Sequence, residues 1–154
     1  MGQPRLNSAF TTSYIEGGPA AILGAQQSSA RYLQRPDATH LGVDSTATGM
    51  GGFYAMADIN KQRGSLGGRV SVAYLSPGYE VNDLGFQSES DRFIFDTSLT
   101  WRHPQPGGYF RDWSFSVGGP DIKWNTAGER IFGNFSSMFR WRWLNYWGGI
   151  VRVD

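Results

Sequence analysis

Residues 91–101 read DRFIFDTSLTW. Phe93, Phe95, Thr97, Leu99 and Trp101 recur at every second position, with Arg92, Ile94, Asp96, Ser98 and Thr100 between them. A period of two predicts an extended strand, because successive side chains of a strand point to opposite faces. One face is then apolar and strongly aromatic. The other carries an arginine and an aspartate in mid-strand. A soluble sheet with one wet face fits this pattern, and so does a transmembrane β-strand, apolar towards lipid and polar towards a lumen.

The same alternation recurs on either side. Residues 5–15 (RLNSAFTTSYI) predict a strand rich in Thr, Ser and aromatics. Residues 49–60 place Phe53, Ala55, Ala57 and Ile59 on one face. Residues 65–75 set Leu66, Val70, Val72 and Tyr74 against Arg69, Ser71 and Ala73. Residues 112–118 set Trp113, Phe115 and Val117 against Asp112, Ser114 and Ser116; Gly119 and Pro120 are expected to interrupt this strand, with 122–124 as an extension. Residues 130–143 alternate Ile131, Phe135, Phe139, Trp141 and Trp143 with Asn134, Ser136, Arg140 and Arg142, and another strand starts at Ile150. The one helix-compatible run is 20–32, enough for a turn or two. Short turns are expected at 61–64, 103–108, 125–129 and 145–149, and long loops at 16–48 and 76–90. These elements predict an all-β fold, an antiparallel up-and-down meander of six or seven strands. Strands near ten residues, long loops alternating with short turns in the first half, and Trp and Tyr near strand ends are expected of part of a transmembrane β-barrel.

Composition narrows the partners. The chain has 154 residues, one domain or a piece of one; 15% are aromatic and 18% charged, below the usual quarter for soluble domains. A net charge of +1 argues against nucleic acid as a partner. Without cysteine there is neither a disulfide framework nor a cysteine–histidine zinc site, and no metal or other cofactor is expected. No apolar run is long enough for a transmembrane helix. A mean hydropathy of −0.39 is compatible with a barrel, whose alternating strands average out. The opening MGQPRLNSAF lacks the apolar core of a signal peptide, and the last strand has barely begun when the chain stops. The expectation is therefore that residues 1–154 are one barrel segment, an internal fragment of a larger barrel domain.

Three segments carry a resemblance: SPGYEVNDLGFQ at 76–87, QQSSARYLQRPD at 26–37 and WNTAGER at 124–130, with NYWGG at 145–149. Together they resemble a bacterial family of unassigned function. Its full-length members carry an N-terminal carbohydrate-binding-like β-sandwich followed by a large C-terminal outer-membrane β-barrel. The resemblance spans about residues 26–149. It implies an envelope barrel segment, located in the bacterial outer membrane, and names no active site.

Candidate residues follow from the faces. Arg69, Arg92, Asp96, Arg140 and Arg142 are candidates to line a lumen and set solute preference. Phe93, Phe95, Leu99, Trp101, Trp113, Trp141 and Trp143 are candidates for a lipid-facing band and its aromatic girdle. The loop carboxylates Glu80, Asp83, Glu89 and Asp91 could serve a glycosidase or a calcium ion, but their setting among turn residues favours a solvated loop. His40 and His103 are isolated, and Gly49–Gly52 and Gly67–Gly68 lack the strand–loop–helix setting of a phosphate cradle. No catalytic residue is assigned. The expected function is a structural or solute-transport role without catalysis. The expected partners are outer-membrane lipid and the remaining barrel strands or another copy of the chain. A soluble β-sandwich or jelly-roll module binding carbohydrate is the alternative, and a small hydrolase using residues 80–91 the third.

Overall fold

The computed structural model describes residues 2–36, 38–82, 85 and 87–154. Seven strands form one sheet: β1 (Arg5–Glu16), β2 (Gly49–Lys61), β3 (Leu66–Leu75), β4 (Arg92–His103), β5 (Phe110–Trp124), β6 (Arg130–Trp143) and β7 (Gly148–Val153). Their spatial order is their chain order, and each neighbouring pair is antiparallel. The up-and-down meander expected from the alternation is thus present with seven strands. It is a single layer, not a two-sheet sandwich, and it is not closed: β1 and β7 are its edges.

The short helix expected within 20–32 is present as α1 (Pro19–Gln26), of eight residues. Ser28 Oγ donates to the Ala25 carbonyl (2.9 Å), and so does Arg31 Nη1 (2.9 Å). Side chains thereby satisfy a carbonyl that a continuing helix would have used, and the chain turns instead. In β5 the expected interruption at Gly119–Pro120 is a bulge within one strand, and 122–124 continue it. Its register against β6 shifts between Gly118↔Ser136 and Asp121↔Asn134, so two residues of β5 oppose one of β6. Gly119 takes φ +101°, the left-handed region open to glycine, and Pro120 has no N–H to leave unpaired. The bulge changes the parity of the strand. Val117 faces Leu99 and Ile122 faces Phe95, so both sides of the bulge present apolar residues on the same face.

Register partners in an antiparallel ladder share a face. The pairs Leu6↔Ile59↔Val70↔Thr97 and Phe10↔Ala55↔Tyr74↔Phe93↔Trp124 therefore run as apolar rows across the sheet. Behind them run polar rows such as Asn7↔Asp58↔Ser71↔Asp96. The short connections 62–65, 104–109 and 144–147 lie at one end of the sheet. The connections 17–48, 76–91 and 125–129 lie at the other. The buried centre is not between layers but at this loop end, where Ile22, Leu33, Ala38 and Tyr79 are buried.

Gly119→Ala is expected to destabilise the protein by about 1–3 kcal/mol, the usual cost of a side chain in this backbone region. An added Cβ would also lie 2.7 Å from the Asn134 carbonyl oxygen. Gly24→Ala, in α1 with nothing within 4 Å of the new atom, is expected to be neutral or stabilising. Urea unfolding followed by circular dichroism checks both, and an unchanged midpoint for Gly119→Ala would contradict the bulge geometry.

Candidate functional site

The polar face carries the first group of candidate residues. Arg69 opposes Ser98, Arg92 opposes Leu75, Asp96 opposes Ser71, Arg140 opposes Ser114 and Arg142 opposes Asp112. The register places all five on the face opposite Phe93 and Phe95. Their partners differ. Arg142 grips Asp112 through Nε (2.8 Å) and Nη2 (2.5 Å). Arg69 lies 3.8 Å from Asp58, whose carboxylate already accepts from Asn7 Nδ2 (3.2 Å) and Asn60 Nδ2 (2.9 Å). Arg92 lies 3.5 Å from Glu89, which also accepts from Lys123 Nζ (2.9 Å). Asp121, beside Asp96 on this face, accepts from the Thr97 amide (3.3 Å) at the bulge.

The two long connections fold onto the loop end of this same face as a cap. Tyr79 OH shares a hydrogen bond with Thr11 Oγ1 (2.6 Å), and the Glu80 amide donates to Ser13 Oγ (2.8 Å). Gly52 makes room for this approach, since a Cβ there would lie 2.5 Å from Ser76 Oγ and 2.6 Å from the Gly78 carbonyl carbon. Within the cap, Arg31 is buried, ion-paired with Glu80, and donates through Nη2 to the Tyr79 carbonyl (3.3 Å). Burial lowers its pKa from the ordinary arginine value, yet arginine stays charged at neutral pH. Gln26 and the Asp44 backbone exchange two hydrogen bonds (3.0 and 2.8 Å). The Thr46 hydroxyl and amide hold the Asp44 carboxyl below the usual carboxylate range.

Asp91 is the hub of the cap. Its carboxylate is fully buried and accepts from the Thr126 amide (3.0 Å) and Thr126 Oγ1 (2.5 Å). It is also ion-paired with Arg35 and lies 3.1 Å from His40 Nε2. The three connections at the loop end meet on this one side chain. Asp91 sits at φ +55°, a left-handed conformation that aspartate tolerates better than most residues. The expectation of a solvated acidic loop is corrected here. Asp91 is buried, Glu80 is nearly so, and Glu89 bridges two cations. Burial of a charge is affordable only with this many partners. Asp83, the fourth carboxylate of the loop, lies outside the described residues, as does Asp37. The other histidine, His103, is exposed and stacks on Trp113 with ring centroids 5.9 Å apart.

Arg31, Arg35 and Thr126 were not legible as partners of these carboxylates, because no periodicity marks loop residues that meet only after folding. Among the described residues, no cluster of three or more His, Cys, Asp or Glu could hold a metal ion. Gly49–Gly52 and Gly67–Gly68 lie in strands β2 and β3 as expected.

The apolar face holds the remaining candidates. Phe93, Phe95, Leu99 and Trp101 share it with Trp113, Trp141 and Trp143. Aromatic contacts run along it: Phe93 with Trp124 (5.6 Å), Trp101 with Trp113 (5.4 Å) and Phe110 stacked on Trp143 (4.6 Å). Trp101, Trp113, Trp143, Tyr146 and Trp147 gather towards the turn end, and Tyr14, Tyr74 and Trp124 towards the loop end. No helix among the described residues is long and apolar enough to cross a membrane.

A family model described as a domain of unknown function (DUF5916) matches residues 20–146. No curated protein and no solved structure matches the chain.

Asp91→Ala would remove the acceptor that His40 and Thr126 share with Arg35 in the cap. A loss of about 3–5 kcal/mol is expected from breaking a buried ion pair on one side. Trypsin cleavage within 17–48 should then accelerate by more than about tenfold, because each 1.4 kcal/mol multiplies the open population tenfold. Cleavage at the wild-type rate would show that Asp91 does not hold the cap.

Proposed function

The chain belongs to this family of unknown function, and we propose that it is a segment of a bacterial outer-membrane β-barrel with a structural or solute-transport role and no catalysis. The observation that carries the reading is the inversion of burial. Large apolar side chains stand exposed on one face of the sheet: Leu6 at 71%, Phe10 at 67%, Phe135 at 58% and Val153 at 63%. The buried groups are mostly polar, among them Arg31, Asp58, Ser90, Asp91 and Asn125, and they lie on the other face or under the cap. Water disfavours a seven-strand apolar face of this size, whereas lipid accepts it.

Three further features support the reading. The polar face would look into a lumen, and the cap would fold over its mouth. Trp and Tyr near both strand ends suit the two interfaces of a membrane. Both edges of the open sheet, β1 and β7, carry backbone groups that lipid cannot satisfy, so further strands or another copy of the chain would close the wall. His40, Glu80 and Asp91 are occupied as partners in the cap, which favours a non-catalytic role. Nothing comparable favours a sugar-binding module: the exposed aromatics spread over the whole sheet rather than forming one platform.

Tryptophan fluorescence in vesicles tests this. Lipids brominated along their acyl chains are expected to quench the protein strongly, and Phe95→Arg on the apolar face is expected to weaken insertion by about 2–4 kcal/mol. A monodisperse protein in detergent-free buffer, unquenched by such vesicles, would refute the reading.

A further inference from the structure

The cations of the polar face are not evenly satisfied. Towards the loop end, Arg92 and Lys123 share Glu89. Under the cap, Arg31 and Arg35 hold Glu80 and Asp91. At the turn end the balance reverses. One rung across the sheet reads Arg5↔Asn60↔Arg69↔Ser98. Arg102 reaches onto the same face over Gly67, where an added Cβ would lie 3.0 Å from its Nη2. Lys61 and Arg63 flank the β2–β3 turn. Among the described residues, Arg5, Lys61, Arg63 and Arg102 have no carboxylate partner. The nearest acid is Asp58, already occupied by Asn7 and Asn60 and 3.8 Å from Arg69, and Asp96, further along the same face, also interacts with Arg69.

These side chains enclose space. A depression of about 400 Å³ is lined by Lys61, Arg69, Arg102 and Asp58 together with Asn60, Ser98 and Thr100. A second of about 390 Å³, lined by Arg5 and Arg63, shares Asn60 and Gln62 with the first. Five cations outnumber the two carboxylates in reach, Asp58 in the lining and Asp96 beyond it, and the remaining repulsion is relieved by a multiply charged anion.

We propose that the turn end of the polar face is a binding site for a phosphate-type anion, free in solution rather than part of a lipid. Guanidinium forks match phosphate oxygens in pairs, and the amides and hydroxyls of Asn60, Ser98 and Thr100 supply neutral hydrogen bonds. A dianion is favoured over chloride because each cation adds to the attraction. A lipid headgroup fits less well, since its acyl chains belong on the opposite, apolar face. The role of the site in passage rests on the lumen reading given above. Binding itself needs only the geometry of this face.

The test is calorimetric titration with inorganic pyrophosphate, using the protein in non-ionic detergent at constant ionic strength. Saturable binding is expected, weakened at least about tenfold in Arg69→Gln/Arg102→Gln, the effect of losing two charge-assisted contacts. Arg111→Gln/Arg152→Gln removes the same charge elsewhere and is expected to bind as wild type. Phosphatidylglycerol added to the micelles is expected not to compete. Absence of saturable binding, equal loss in both double variants, or displacement by phosphatidylglycerol would each overturn the proposal. If Arg69→Gln/Arg102→Gln fails to fold, Arg5→Gln/Arg63→Gln on the exposed rim is expected to show the same loss, and wild-type affinity there overturns the site. The two readings fail separately. Pyrophosphate binding without quenching by brominated lipid removes the membrane and keeps the site, and the reverse result removes the site alone.

Discussion

In an antiparallel meander, residues that face each other across a ladder must share a face of the sheet. With seven strands paired in chain order, this rule couples the whole molecule. The alternation in β4 cannot differ from that in β3 or β5 without a bulge. Of three one-residue register shifts between β5 and β6, the one at Gly119–Asp121 corrects the parity of β5 where its sequence alternation slips. Val117 and Ile122 are five residues apart, an odd spacing that would place them on opposite faces of an unbroken strand. The bulge returns both to the apolar side.

The same rule sorts chemistry by face, and the cap then sorts it by end. On the polar face, Asp58, Asp96, Asp112 and Asp121 meet arginines and amides. At the loop end, the connections bury their own charges around Asp91 and Arg31, with ring and hydroxyl contacts from Tyr79 to β1 and β2. Desolvating these ions is costly, and the cost is offset by multiple charge-assisted hydrogen bonds on each. Such a network has one good arrangement, which ties three connections into a fixed structure at one end of the sheet.

Burial in this protein therefore runs opposite to that of a soluble sheet. Most of its buried groups are polar, and Phe10, Leu99 and Val151 stand exposed. In the proposed barrel, lipid against the apolar face and water against the polar face would reconcile the two. The turn end differs from the loop end in having more cations than acids. An ion moving along the polar face would thus meet a neutralised network at one end and a net positive field at the other.

Much of the fold was legible in single residues. Phe93, Phe95, Leu99 and Trp101 at spacing two announced β4, and the short KQRG and HPQPGG segments announced hairpins, because side-chain direction and turn chemistry are local properties. The faces of Arg69, Asp96 and Arg140 followed from the same alternation. What the sequence could not determine involves residues distant along the chain. Asp91 looked like one more loop carboxylate until Arg35, His40 and Thr126 converged on it, and the turn after α1 is held by Arg31 reaching back to the Ala25 carbonyl. Likewise Arg5, Arg69 and Arg102, 97 residues from first to last, become neighbours only through ladder register. Local alternation determined which face each strand residue occupies. Tertiary structure alone decided which charges meet, because a charge's partners are set by the pairing of strands and the packing of loops and not by its neighbours in sequence.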